Sequence, residues 1–373
     1  MKQLAIFTLI CLVGNHFLSA QGAPVTLPTE GGNITCSIGQ RIGVTNINVH
    51  WDAPGVKGRE GKIWGTQIVH YGFQDPQFGT SKSSPWRAGA NENTTISFST
   101  DVSIEGKKLA VGKYGFFIAV YPDSCTLIFS KNSGAWGSYF YKTAEDALRV
   151  TVRQQKNLPA SREWLAYLFS EPSPNSVVLA LEWERWRIPF KVEVDVPRTV
   201  VETLRGELQD SRGFVYENWT AAAQFCLQNN YNLEEALTWA DNAITQFYGV
   251  KNFATYSLKA QIEEKLGRKA DADATMKKAM EKADVADLHQ YGRQLIASKQ
   301  AAKALEVFQL NHQKNGDVWP IHAGLMRGYS ANGDLKKALE QAKIALTQAP
   351  DEQNKKTLEG YIKTLSEGKP IEQ

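Results

Sequence analysis

A single change of hydrophobic period divides this chain near Pro197 and limits what it can fold into. Before that point apolar residues alternate in short runs; after it they recur every three or four positions. A period of two buries one face of a strand, and a period near 3.6 buries one stripe of a helix. One layer cannot serve both patterns, so two domains are predicted, all-β first and all-α second. With 373 residues, the chain has room for both.

Residues 34–197 read as many short strands. Ile42, Val44, Ile47 and Val49 lead to Trp51, and Ile96, Phe98, Thr100 and Val102 alternate through 94–104. Further strands are predicted near 114–121, 125–130, 148–152, 164–169, 177–183 and 188–196, divided by turn residues such as Pro-Asp and Lys-Asn-Ser-Gly. Short strands with turns between them, and no strong amphipathic helix, predict an antiparallel sandwich or jelly roll. The stretch from Asp52 to Asn93 is the exception. It is long, Gly-rich and polar, yet it carries Trp64, His70, Tyr71 and Trp86, a composition unlike disorder. It is predicted to fold over one face or rim of the sandwich.

Beyond Pro197 the chain repeats with a period of roughly 34 residues, the length of a tetratricopeptide helix pair. The clearest unit, 319–350, places Leu325, Tyr329, Gly333, Ala338, Ala342, Ala345 and Pro350 at that motif's packing slots. Tyr291, Gly292, Leu295, Ala304 and Phe308 fill the same slots one unit earlier. Weaker copies carry Gly267, Ala272, Met276 and Ala279, and before them Leu233, Ala236, Ala240 and Ala243. Residues 216–366 are therefore predicted as a tetratricopeptide-like solenoid, with a capping helix near 352–366.

Residues 1–22 read as a signal peptide. Lys2 precedes an apolar run from Leu4 to Val13, then small residues suited to cleavage after Ala20 or Gly22. That run is too short for a stable anchor, and no membrane span is expected once it is removed. The expected location is periplasmic or secreted. Hydrophobic residues are 42% and charged residues 22%, with a net charge of +3 and no basic half hidden behind an acidic one. Nothing in that balance points to nucleic acid. Of four cysteines, Cys11 leaves with the signal. Cys36 and Cys125 are candidates for a disulfide in an oxidising compartment, with two buried thiols as the alternative, and Cys226 reads as core.

Catalytic signatures are missing. Gly55 to Ile63 resembles a phosphate loop, but its glycine spacing is one residue too long, and Ile63 stands where a Mg²⁺-binding hydroxyl belongs. There is no G-x-S-x-G elbow. His50 and His70 lack a carboxylate spaced to complete a metal site, and His289, His312 and His322 read as surface or packing residues on separate helices. No metal and no cofactor are expected. What remains is a polar-aromatic constellation in the long segment: Arg59, His70, Trp86, Arg87, Asn91 and Glu92. Two readings fit it. In one, buried arginines pair with Glu92 and pin the loop to the sheet. In the other, the guanidinium groups and aromatic walls form a pocket for a carboxylate or small carbohydrate. In the segment Leu181 to Arg187, a continuous strand would put Glu182, Glu184 and Trp186 on one face and Trp183, Arg185 and Arg187 on the other.

The same residues carry a resemblance. Val56-Lys57-Gly58-Arg59, Ile63-Trp64-Gly65, the string Trp86-Arg87-Ala88-Gly89-Ala90-Asn91-Glu92, Gly112-Lys113-Tyr114 and Leu179 to Trp183 are similar to the hallmark of the bacterial domain-of-unknown-function family 2911. The similarity covers about residues 34–195. It implies an exported β-domain, sometimes followed by tetratricopeptide repeats, and no activity. Departures from the family pattern are His70 in place of a proline, Cys125 in place of a common tryptophan, and Phe73 to Pro85 as an insertion.

Two functions follow. The favoured one is a non-enzymatic binding or scaffold protein of the bacterial envelope, whose repeats dock a protein or peptide. The alternative is a hydrolase or lyase acting on a sugar or peptide, with Arg59 and Arg87 holding substrate, Glu92 or His70 as acid-base and Asn91 orienting the reacting group.

Overall fold

The computed structural model describes residues 32–372; the expected signal peptide at 1–22 lies outside them. The first part is a sandwich of two antiparallel sheets. One has the order β1 (Ile34–Ile42), β2 (Thr45–Ala53), β3 (Ala90–Phe98), β6 (Gly112–Val120), β7 (Cys125–Ser130) and β8 (Asp146–Val152). The other runs β5 (Lys107–Leu109), β4 (Val102–Ile104), β11 (Trp186–Glu193), β10 (Ser176–Glu184) and β9 (Arg162–Ser170).

Alternation sets which side faces in. On β2, Thr45, Ile47, Val49, Trp51 and Ala53 are buried while the residues between them are not. The apolar four join Phe116, Phe129, Tyr167, Leu181 and Phe190 in one core between the sheets. β6 is apolar on both faces for a reason: Phe117 and Ala119 point outward into a second small cluster with Ile128, Tyr141 and Phe73.

Three segments differ from the sequence reading. The run from Ile42 to Trp51 is not one strand, because Gly43 (φ +55°) turns it into the β1–β2 hairpin. The run 94–104 divides into β3 and β4. Leu181 to Arg187 is also broken, since Trp183 pairs with Trp186 across a reversal at Glu184 (φ +53°) and Arg185. The two-face assignment made for a continuous strand therefore fails.

Ten α-helices follow, from α1 (Val196–Glu207) to the terminal α10 (Glu352–Ser366). Between them lie the pairs α2 (Tyr216–Asn229) with α3 (Leu233–Thr245), α4 (Phe253–Lys265) with α5 (Lys269–Lys282), α6 (Val285–Ala297) with α7 (Ala301–Asn315) and α8 (Trp319–Ala331) with α9 (Leu335–Thr347). These are stacked TPR-like helical hairpins. Their packing rests on small residues: Ala236, Ala240 and Ala243 on α3 are buried, as are Ala338, Ala342 and Ala345 on α9. Gly267 (φ +78°) and Gly333 (φ +81°) turn the chain between helices. The Phe308 ring of α7 sits where a Cβ on Gly292 or Gly324 would lie 2.5 Å from it, so those two positions admit only glycine at this separation.

α1 belongs to both halves. Val196 at its start packs against the sandwich core, Arg198 pairs with Asp101 at 3.5 Å, and Val201 enters the helical core.

Candidate functional site

The segment from Pro54 to Gly89 is held by backbone pairing to both sheets. At one end Leu165 N donates to Pro54 O at 3.0 Å, and Val56 N donates to Glu163 O at 2.8 Å, both on β9. At the other, Trp86 and Ile118 exchange bonds of 3.1 and 2.9 Å, and Gly72 N donates to Val120 O at 2.8 Å. β3 pairs β6 only as far as Gly115, so the segment takes up the free edge of β6 beyond it. Val56, Ile63, Val69, Trp86 and Ala88 are buried beneath it.

Ala88 fixes the position of Arg87. It adopts φ +53°, and its carbonyl accepts from the Tyr167 hydroxyl at 2.8 Å and from Thr94 Oγ1 at 3.2 Å. Tyr167 is itself 1% exposed, so this bond also satisfies a buried hydroxyl. Further along, Glu184 accepts from Gly61 N at 2.8 Å and from Trp64 Nε1 at 3.1 Å, tying the loop to the β10–β11 reversal. Trp64 stacks on Trp186 at 4.5 Å and meets Trp86 and Trp183 edge-on.

Between loop and sheet lies a crevice of about 630 Å³. Arg59, His70, Trp86, Arg87 and Asn91 all line it; Glu92 does not. Glu92 follows Asn91, whose left-handed backbone (φ +49°) lies in an irregular part of the β2–β3 pairing, and it is exposed. The expected buried pairing of Glu92 with an arginine is thus not formed. Among the described residues neither Arg59 nor Arg87 meets a carboxylate. Arg59 instead donates Nε to Val56 O at 2.9 Å and Nη2 to Gly55 O at 2.7 Å. Arg87 donates Nη1 to Asn91 O at 2.7 Å, and its guanidinium lies 4.9 Å from the Tyr139 ring and 5.8 Å from that of Trp136. Gly137 (φ +57°) permits that approach, because a Cβ there would stand 2.6 Å from Arg87 Nη1.

Two acids of the sandwich meet arginines away from the crevice. Glu182 accepts from Arg187 at 2.6 Å and from Arg162 at 3.0 Å, and Asp146 accepts from Arg149 at 2.6 Å. Asp75, the one carboxylate at the crevice, pairs with Lys82 at 3.5 Å. With Lys57 also at the wall, the crevice carries excess positive charge.

Two groups there have unused hydrogen-bonding capacity. Burial lowers the pKa of His70, against the opposing pull of backbone bonds from Tyr71 and Gly72, and its Nδ1 has no partner. Trp183, 1% exposed, forms part of the crevice wall, and its indole Nε1 is likewise unpartnered. Sequence reasoning missed Trp183, Tyr139 and Lys57 as site residues. The aromatic run Trp136-Gly137-Ser138-Tyr139 was the available signal, since Trp136 and Phe78 stay more than half exposed beside the crevice.

The candidate disulfide is not made. Cys36 on β1 and Cys125 on β7 are free, with three strands between them in the sheet. At about 4.8 Å per strand that separation is roughly 19 Å, whereas a disulfide needs Cα atoms within about 7 Å. Burial pushes the Cys125 thiol up to about 12. Cys226 is buried in the helical core, as expected. His312 and His322 are not as separate as their spacing implied: both contact Asp317 Oδ1, at 2.6 and 3.4 Å. Among the described residues no group of three or more His, Cys, Asp or Glu side chains is arranged to hold a metal ion, and no helix there is long and apolar enough to cross a membrane.

Two solved structures resemble part of the chain. "YrrB: a TPR protein with an unusual peptide-binding site" is 17% identical and covers 45% of this chain and 88% of its own, with a TM-score of 0.26. A tetratricopeptide repeat protein from Parabacteroides merdae is 14% identical over 46% of this chain and 70% of its own, with a TM-score of 0.30. No curated protein matches. A family model matches residues 35–192, nearly the whole sandwich. The β-sandwich thus matches the family described as protein of unknown function (DUF2911), and TPR-like helical hairpins follow it in this chain.

Proposed function

We propose that this chain is a non-enzymatic binding protein of the bacterial envelope. In this reading residues 1–22 direct export, the helical repeats dock a protein or peptide, and the sandwich crevice holds a small anionic ligand. One observation carries the ligand part: Arg59 and Arg87 stand at an open crevice with no carboxylate of the described residues against either. A guanidinium left without a counter-charge at a concave wall is suited to carboxylate or phosphate recognition. The docking part is supported by the stacked helical hairpins, whose geometry offers an extended surface and needs no chemistry.

The hydrolase or lyase alternative required Glu92 and His70 to converge on one substrate. Glu92 lies outside the crevice, and Asp75 is engaged by Lys82. General acid–base chemistry needs both groups within hydrogen-bond reach of the reacting atoms.

Thermal unfolding of the full chain with citrate tests the binding reading. A ligand at 100 times its Kd stabilises by about 2.7 kcal/mol, or several degrees at this size. The expected result is a rise in Tm that disappears in a folded Arg87→Ala variant. An equal rise in that variant, or no response to citrate, phosphate or uronate, contradicts the reading.

A further inference from the structure

We propose that the anion taken by the sandwich crevice is an acidic saccharide, a sugar chain bearing carboxylates, with its charge at Arg59 and Arg87 and its rings against the exposed aromatic wall. This rests on the anion-binding reading above and narrows it by three features.

The first is the direction of the hydrogen bonds the crevice leaves open. Arg59 and Arg87 commit only part of their N–H groups to backbone carbonyls. Trp183 Nε1 is buried without a partner, and an indole N–H can only donate. The open guanidinium N–H groups likewise only donate, so the occupant must bring acceptor oxygens to that wall. The second is the amide lining. Gln67, Gln74 and Gln77 line the crevice, and their side-chain amides bond to no other described residue. A carboxamide both donates and accepts, as a sugar hydroxyl does. A compact inorganic anion would leave these amides idle, and a crevice of about 630 Å³ would be far larger than it needs.

The third is the rim. Trp136 is 53% exposed and stacks on Tyr139 at 5.9 Å and 12°, with Phe78, 68% exposed, set edge-on to Tyr139. Arg87 lies over both Trp136 and Tyr139, so charge recognition and a flat apolar face occur side by side. The C–H face of a pyranose ring is flat and apolar while its edge carries hydroxyls. That matches an aromatic platform beside amides and a guanidinium. Large aromatics kept in water at one rim mark a contact surface.

Calorimetric titration of the full chain with tetramers of galacturonate, mannuronate and glucuronate tests this, with cellotetraose, citrate and inorganic phosphate as references. At least one acidic tetramer should bind ten times or more tightly than cellotetraose and than citrate. Arg87→Ala should bring that tetramer down to the level of cellotetraose. Trp136→Ala, at an exposed position, should weaken the tetramer about tenfold and citrate by clearly less. Citrate or phosphate binding as tightly as every tetramer, with Trp136→Ala silent, would overturn the saccharide proposal while keeping the anion reading. Failure of all six probes would overturn both.

Discussion

Glu182 shows how much a single side chain can hold. It is 9% exposed on β10 and accepts from Arg162 on β9 and from Arg187 on β11, so it ties three adjacent strands. Arg187 also donates to Ser170 at 2.7 Å, which satisfies more of the buried guanidinium. Removing one member of such a group leaves a buried charge unpaired, at a cost of roughly 3–5 kcal/mol. Glu182→Ala should lower stability by about that amount in chemical denaturation, and Glu182→Gln by less, because the amide oxygen still accepts. The segment around Glu182 was conspicuous in the sequence, but its pairing was not. Reading Leu181 to Arg187 as one strand put Arg187 on the face opposite Glu182. The reversal at Glu184 brings them into register as cross-strand partners. A glutamate in a left-handed conformation is not the residue that signals a turn, so the hairpin left no mark. For the same reason of locality, the sequence named Arg59, His70, Trp86, Arg87 and Asn91 together but could not separate Asn91 from Glu92. That depends on where β3 begins.

At the scale of elements, helices were more legible than loops. Alanine and glycine at a fixed period announced each helical hairpin, because close helix packing admits little else. Three glycines on two helices show the principle. Gly292 on α6 and Gly324 and Gly328 on α8 surround Phe308, each with a would-be Cβ 2.5 to 2.8 Å from the ring. Gly324→Ala should lower stability by about 1–3 kcal/mol, since the ring is walled on its other side and cannot retreat. Gly360→Ala on α10, where a Cβ meets nothing within 4 Å, should raise stability by up to about 1 kcal/mol from helix propensity alone. Parallel denaturant titrations of the two variants check the contrast; equal effects would mean that the ring does not decide. Long-range pairing is where periodicity is silent. Nothing local tells that Trp86 bonds to Ile118 or that Pro54 meets Leu165, yet those bonds shape the crevice. The Cys36–Cys125 bridge, one of two readings of those cysteines, is absent on the same ground: two cysteines in one sheet are close only when their strands are neighbours.

Across the whole molecule, the apolar interior is divided. The sandwich core and the helical clusters share no buried residue, and α1 joins both, through Val196 at its start and Val201 and Leu204 further along. Chains built this way depart from two-state unfolding. Each half also holds a histidine whose pKa burial lowers, His70 in the sandwich and His289 in the solenoid. Unfolding returns both to the ordinary value of 6.5, so the unfolded chain binds more protons below that pH. Stability present above pH 6.5 is therefore lost as pH falls through the lowered values. Scanning calorimetry should resolve more than one transition at pH 7.5, with the sandwich and solenoid transitions both moving to lower temperature by pH 5.5. A single transition, or a rise on acidification, would contradict the divided interior or the sign of the histidine contribution.

The indole cluster behind the crevice has a practical consequence. Trp183 at the wall lies parallel to Trp86 at 6.2 Å, and both meet Trp64, which stacks in turn on Trp186. Transition dipoles this close couple, so the dichroism of each ring depends on its neighbours. A guest touching Trp183 would perturb the whole set, and the near-ultraviolet dichroism of the untagged protein becomes a direct optical report of occupancy.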